Sequence, residues 1–309
     1  MTKSSAFGKI ILFGEHAVVY GRPALAVPVT QVYADVDVSD SKREGIWIDA
    51  PAVHLHAELK TLPSDHPIAA ALNNLFFLFR ISPFLNLEIK ITSRIPVASG
   101  LGSSAAVTVA LTRALTSHLG RSMKDEDVNA FTYEIEKIHH GDAPSGIDNT
   151  VITYARPVYF VKGQPIETFK VRQPFTFVIG DTGIPATTNE SAGDVRQLWL
   201  DDPSRLESVF DKIGEISFAA RCAIEAGMYE WLGELMNKNH ALLQELTVSS
   251  PELDRLVEAA RSAGALGAKL SGGGRGGNMI ALVKSEMADT VSLVLKTMGA
   301  KNILVTPIF

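Results

Sequence analysis

Apolar and polar positions divide the chain into recognisable elements. Near the start, GKIILFG (residues 8–14) is an apolar run that predicts a buried strand. GEHAVVYGRPALAVPV follows, with turn residues at Gly14, Gly21 and Pro23. Alternation over residues 31–39, and again over 45–49, predicts half-buried strands. Residues 65–80 carry apolar groups at helical spacing, so a helix is expected, with Ser64 or Asp65 as cap and Pro67 in its first turn. Leu87–Ser93 alternates and reads as a strand. VTVALTRALTSHLG is helical in spacing, which puts Ser103–Ala106 in the opening turn of that helix and Gly120 at its close. MKDEDVNAFTYEIEKIHH predicts another helix, capped by Ser122 and acidic in its first turn. GDAPSGIDN then leads into strands at VITYA and PVYFV.

Over residues 162–174 the pattern loosens around Gly163, Pro165 and Pro174, and a domain boundary is expected there, giving domains 1–165 and 166–309. The second half opens with a strand, FTFVIGD, and a polar segment, TGIPATTNESAG. Helices are expected over 204–226, 229–246 and 251–263, then a glycine-rich loop, AKLSGGGRGG. A strand at 278–283, a helix over 286–298 and the strand NILVTPI complete the order. Strands and helices mix without a regular βαβ rhythm, which argues for an α+β fold.

Composition narrows the class. Of 309 residues, 46% are hydrophobic and 20% charged, the balance of a soluble globular protein, and the length suggests two domains. The net charge of −5, with no basic run, gives little support to nucleic-acid or membrane-surface binding. An anionic substrate would need a few Lys or Arg and helix termini to focus positive charge locally. Cys222, the single cysteine, excludes a disulfide within the chain and reads as a buried packing thiol. No stretch reaches membrane-spanning length and the N-terminal apolar run is short for a signal peptide, so a cytoplasmic protein is expected.

The candidate chemistry centres on PVASGLGSSAA, Pro96–Ala106. A strand before it and a helix after it make the glycine loop a helix N-terminus, where free N–H groups and the helix dipole attract anions. Gly100 and Gly102 permit close backbone approach, and Ser103 and Ser104 add hydroxyls for phosphate or Mg²⁺. Alone, the same pattern is an ordinary capped turn. There is no G-x-x-x-x-G-K-[ST], no protein-kinase motif set, no G-x-S-x-G and no zinc-like Cys/His spacing. His139-His140 with Asp142 fits a helix-terminal histidine pair better than a metal site. Phosphoryl transfer needs a phosphate cradle, a divalent cation, a positive charge and a carboxylate near the nucleophile. Lys9, Glu136 and Asp148 supply the right groups, although each alone also reads as a strand-end, surface or turn residue. Ser271–Gly277 either adds a phosphate contact or packs closely against another backbone.

Taken together, these stretches resemble the GHMP kinases. PVASGLGSSAA matches their ATP-phosphate motif and AKLSGGGRGG their third, glycine-rich motif. Within that superfamily, GKIILFGEHAVVYGRPALA and HGDAPSGIDNTVITYARPVYF resemble the mevalonate kinase family. The resemblance implies a two-domain GHMP fold: an N-terminal α/β ATP-binding domain, a C-terminal α+β domain, and an active site in the cleft between them. It implies ATP- and Mg²⁺-dependent phosphorylation of the C5 hydroxyl of mevalonate, a step of isoprenoid biosynthesis, with mevalonate and ATP as the partners and a homodimer as the common assembly. Asp148 would take or orient the hydroxyl proton, and Lys9 would keep Asp148 ionised and offset charge on the γ-phosphoryl group. Pro96, Gly100, Leu101, Gly102, Ser103, Ser104, Ala105 and Gly273 would hold the nucleotide, with Ser104 and Glu136 on the metal. Glu15, His16, Tyr154 and Thr188 would line the mevalonate pocket. Two departures stand out. HGDAPSG is one residue longer than the usual HGxPSG. Ala186 replaces a basic residue carried by some family members, leaving Arg196 and Arg275 as candidates for that role. Phosphomevalonate kinase, mevalonate 3-kinase, diphosphomevalonate decarboxylase and a non-catalytic nucleotide binder are the alternatives; Lys9 and GEHAVVYG speak against the decarboxylase.

Overall fold

The computed structural model describes residues 1–82, 85–96, 99–140, 144–186 and 188–309; the side chains of His139, His140, Thr188 and Asn189 are outside that description. The chain forms two compact units, each built from separated segments. The first comprises Met1–Gly8, Val29–Val97 and Gly102–Ala155, and the second Lys9–Pro28, Ala98–Leu101 and Arg156–Phe309. This division differs from the linear spans 1–165 and 166–309. Residues 9–28 belong to the second unit because the short 3₁₀ turn Ala17–Tyr20 packs on a helix of that unit. There the Tyr20 ring stacks on Phe210 with centroids 4.2 Å apart, and Arg22 Nε donates to Asp211 at 2.9 Å.

β1 (Thr2–Phe13) begins the chain and pairs with β2 (Ala24–Asp40), and each strand contributes residues to both units. β3 (Ile46–Ala50) and β4 (Leu55–Glu58) form an antiparallel pair. β3 also runs parallel to β5 (Leu87–Ser93), which pairs antiparallel with residues 34–40 of β2. The alternation read from the sequence is the burial pattern: Leu87, Ile89 and Ile91 are buried, while Glu88, Lys90 and Thr92 face outward. α1 (Pro67–Phe79) follows β4, with Pro67 at its start. Its N-cap is His66, not Ser64 or Asp65, and no side chain caps it. α2 (Ser103–His118) packs on α3 (Asp125–His140) and α4 (Ile147–Tyr154). α3 begins at Asp125, with Val128 N–H bonded to Lys124 C=O, so Ser122 is too far upstream to cap it.

VITYA, expected as a strand, lies in α4 and its C-cap. Three consecutive β-branched residues, Val151–Thr153, favour a strand locally. The surrounding helices bury Ile147 and 149–153 together, and left-handed Gly146 and Ala155 delimit a helix instead. Thr150 Oγ1 donates back to Gly146 C=O at 2.6 Å, a bond available only in helical geometry.

The second unit opens with β6 (Val158–Phe160), which pairs with Ala24–Ala26 of β2 and with β7 (Glu167–Thr168). β8 (Phe175–Asp181) is followed by α5 (Thr188–Asp201), which sequence reading passed over. Its buried positions, Ser191 and Val195, with half-buried Leu198 and Trp199, have helical spacing, but the polar start TTNES hides it. α6 (Pro203–Ala226), α7 (Tyr229–Glu245) and α8 (Pro251–Ser262) match expectation within a residue or two. β9 (Gly267–Ser271) absorbs the start of the glycine-rich segment, and β10 (Asn278–Val283), α9 (Ala288–Thr297) and β11 (Asn302–Ile308) complete the chain. The sheet order is β11-β8-β10-β9, antiparallel throughout. Its core joins Val178, Met279 and Leu270 to Phe210, Leu243 and Leu253 of the covering helices. Cys222, on α6, is half-buried rather than sealed in the core. No described helix is long and apolar enough to cross a membrane.

Candidate active site

In the first unit, the turn before α2 ends at Gly102, whose φ of +77° is left-handed and which has no side chain to cap the helix. The N–H groups of the first turn, at Ser103, Ser104 and buried Ala105, are therefore not claimed by a capping side chain. Ser104 Oγ donates to Glu136 Oε1 at 2.6 Å, joining α2 to α3, and Glu136 is 3% exposed. A hydroxyl and a carboxylate in contact are hard oxygen donors. They suit Mg²⁺, which is commonly held by one or two protein oxygens with phosphates and water. Among the described residues no group of three His, Cys, Asp or Glu could hold a metal, so this pair is the metal candidate.

Asp148 stands half-buried in the first turn of α4, after left-handed Gly146. Two clamps hold α4. Asn149 Nδ2 donates to the Asn129 carbonyl at 3.2 Å and to its side-chain oxygen at 2.6 Å. Arg113 reaches Thr153 C=O at 2.8 Å and Asp125 at 2.6 Å. Asn129 and Glu136 are seven residues apart on α3 and so share a helix face, which puts the carboxylate and the α4 clamp on one side. Tyr154 sits elsewhere. Its hydroxyl pKa is raised by burial and by Glu126 and Asp125, which stand at the opposite end of α3 from Glu136. That is about 15 Å along the helix, and the structure does not bring Tyr154 to Glu136. Asp142 lies outside the described residues. So does the side chain of Thr188, whose backbone opens α5.

The second unit ties together segments far apart in sequence. Lys9, 2% exposed on β1, donates its backbone N–H to Leu101 C=O at 3.0 Å, so the strand carrying the lysine is bonded to the glycine loop. Gly100 has φ +80°, and a Cβ there would meet nothing within 4 Å, leaving room for a ligand to approach the backbone. Pro96, half-buried, precedes the loop. Asn278 Nδ2 donates to Ser99 C=O at 2.5 Å, and Ser271 Oγ to Ile11 C=O at 2.7 Å, fastening the third motif to the first two. His16 Nε2 lies 3.1 Å from Gly273 O. Burial pushes the His16 pKa down to about 4; the Gly273 bond opposes this, and Arg275 and Lys269 reinforce it. Glycine is obligatory at residue 274, where φ is +79° and a Cβ would fall 1.9 Å from Val248 O.

Glu15 is not a pocket-lining carboxylate here. It is 1% exposed, with one oxygen on Lys269 and the other 3.3 Å from Asn239 Nδ2. Sequence reading missed Lys269, Asn239 and Asn278, and took Ser271 only as the start of a loop that binds phosphate or packs on another backbone; a lysine inside the apolar GAKLS was the one available signal for the first. Arg275 pairs with Asp194 of α5 and leans on Thr247 C=O at 3.4 Å, while Arg196 is exposed on α5. The Asp194 pairing makes Arg275 a fastening between α5 and the glycine loop.

These features agree with known relatives. Residues 67–156 match the family model of the GHMP kinases N terminal domain, and residues 220–301 that of the GHMP kinases C terminal. A mevalonate kinase of Pyrococcus abyssi is 35% identical, over 94% of this chain and 91% of its own length. One of Thermococcus gammatolerans is 34% identical, over 94% and 92%. The crystal structure of L. major mevalonate kinase in complex with R-mevalonate superposes with a TM-score of 0.86 at 30% identity, covering 100% of this chain and 96% of that one. The mixed helix-and-sheet architecture is the two-domain fold of that family. With both family models matched in order and relatives a third identical along almost the whole length, the chain belongs to the GHMP kinases, ATP-dependent phosphotransferases.

Proposed function

We propose that the chain is a mevalonate kinase, transferring the γ-phosphoryl group of ATP to the C5 hydroxyl of (R)-mevalonate to give 5-phosphomevalonate and ADP. The observation that carries the phosphotransfer half is the contact of Ser104 with buried Glu136 at an uncapped, glycine-preceded helix N-terminus. The acceptor follows from the relatives, which are mevalonate kinases over more than nine-tenths of this chain.

In this reading, Ser104 and Glu136 hold Mg²⁺, which would neutralise charge on the β- and γ-phosphates. The N–H groups at the start of α2 and the open backbone at Gly100 receive phosphate oxygens, with Gly273 contributing from the third motif. Asp148 takes or orients the hydroxyl proton. Lys9 offsets charge on the transferred group. His16 contacts the acceptor, and Thr188 contributes to the same pocket. Catalysis is then largely positioning and electrostatics, since the transferring phosphoryl group is loosely bonded in the transition state.

Phosphorus NMR of the product made from mevalonate, ATP and Mg²⁺ tests the proposal. A new phosphomonoester coupled to the C5 methylene protons is expected, together with ADP. A phosphate on the tertiary C3 oxygen, or turnover only with phosphomevalonate, would replace it with one of the neighbouring reactions.

A further inference from the structure

Lys269 lies within β9 with none of its surface exposed, among Gly267, Ala268, Leu270 and Ser271. A buried ammonium persists only where partners take its charge and hydrogens. Lys269 Nζ has such partners: the Glu15 carboxylate and, at 2.6 Å, the Leu270 carbonyl. Burial lowers the Lys269 pKa, and Glu15 works against that shift. The second Glu15 oxygen accepts from Asn239, so both oxygens of the carboxylate have partners inside the unit.

One residue further on, His16 holds φ +62° and ψ −49°, a conformation that a non-glycine residue keeps only when its surroundings impose it. Immediately before His16 stands the Glu15–Lys269 anchor. One residue earlier, Gly14 at φ +94° is pressed against Ala24, where a Cβ would fall 2.5 Å from Ala24 Cα. The Gly273 carbonyl can only accept, so His16 Nε2 carries the hydrogen. In the neutral ring, Nδ1 is then an acceptor. It can bind an alcohol, which has a hydrogen to give, and not an ionised carboxylate or a phosphate oxygen.

We infer that Lys269 is a positioning residue for the phosphotransfer proposed above: by anchoring Glu15, it holds the strained turn that keeps His16 in its Nε2–H form, with Nδ1 free to accept from the substrate alcohol. Lys269 does not touch the substrate. The inference rests on the mevalonate kinase reading for the identity of that alcohol, but not for the state of His16.

The full chain is tested as wild type, Lys269→Arg, Lys269→Met and the double variant Lys269→Met/Glu15→Gln, which removes both charges. ADP release gives kcat and the KM for mevalonate and for ATP. Nitrogen-15 spectra of the histidine rings, without substrate, report the His16 tautomer. In Lys269→Met, the KM for mevalonate is expected to rise about tenfold while the KM for ATP stays within about twofold, and the His16 Nε2–H signature is lost. Lys269→Arg, which keeps the charge at a different length, should show a smaller shift in the same direction. The double variant, with no unpaired charge left inside, should recover part of the loss. Unchanged mevalonate KM and unchanged His16 signals in the folded variants would overturn the inference, as would an equal rise in both KM values. If Lys269→Met does not fold, Lys269→Arg and the double variant decide by the same criteria. A wild-type enzyme inactive on mevalonate would sink the functional reading instead, and the ring spectra would still judge the role of Lys269.

Discussion

In the first unit, functional side chains ride on helices and meet other side chains: Ser104 reaches Glu136 from α2 to α3, and Asn149 reaches Asn129 from α4 to α3. In the second unit several ties run from side chains to backbone between turns and strand ends, as with Ser271 to Ile11, Asn278 to Ser99 and His16 to Gly273. The first arrangement fixes reactive groups on rigid rods, where one side chain can change while the helix persists. The second makes the backbone part of the site, so altering one residue displaces several segments. Substitutions in the first unit should therefore lower rate and leave the fold intact, whereas those in the second should affect stability and binding together.

The largest expected effect is at Asp148. Asp148→Asn should lower kcat by about a thousandfold while ATP affinity and melting temperature stay near wild type. Steady-state turnover within a few-fold of wild type would remove Asp148 from the reaction. Next comes Gly274→Ala, which forces a methyl group into Val248 O at a left-handed position. A loss of about 3 kcal/mol in urea unfolding is expected. A stable Gly274→Ala enzyme would erase the contrast between the units.

Acid should act on the second unit through its buried histidines. Burial lowers the pKa of both His16 and His240 to about 4; at His240, Arg261 and Lys269 add to the effect and Asp254 opposes it. The folded-state value lies below the unfolded one, so below about pH 6.5 the unfolded chain takes up protons that the folded chain refuses. The associated stability is present above that pH and is lost progressively toward pH 4. Each histidine should cost about 2 kcal/mol between pH 7 and 5. His240→Gln should shrink the measured pH 7-to-5 loss by that amount; an identical loss in the variant would refute the assignment. The smallest effect is expected at Ser104→Ala, which should raise the Mg²⁺ concentration for half-maximal activity about tenfold with little change in melting temperature.

Most of the fold was legible because its signals are local. Leu87–Ser93, Phe175–Asp181 and Asn278–Val283 have the bounds that alternation or apolar runs gave them. Residues 151–155 were misread because β-branched propensity is a statement about a surface, and here Val151, Ile152 and Thr153 are all buried in a helix packed on α2 and α3. Helix α5 was missed because its apolar positions come late. In the site, the glycine turns and Ser104 stood out through the strand-loop-helix pattern, whereas Glu136 took its role from the family resemblance. Lys269 did not, because its meaning depends on Glu15, which lies 254 residues away. A pattern read along the chain registers a charge in a strand but not the carboxylate that excuses it.

The depth of Lys269 has a practical corollary. A reagent that acylates amines can reach that ammonium only after β9 detaches and Glu15 lets go. Labelling at this position, followed by mass spectrometry under native conditions, would therefore clock rare openings of the second unit. It would also separate them from the fraying of ends and loops, where surface lysines react at once.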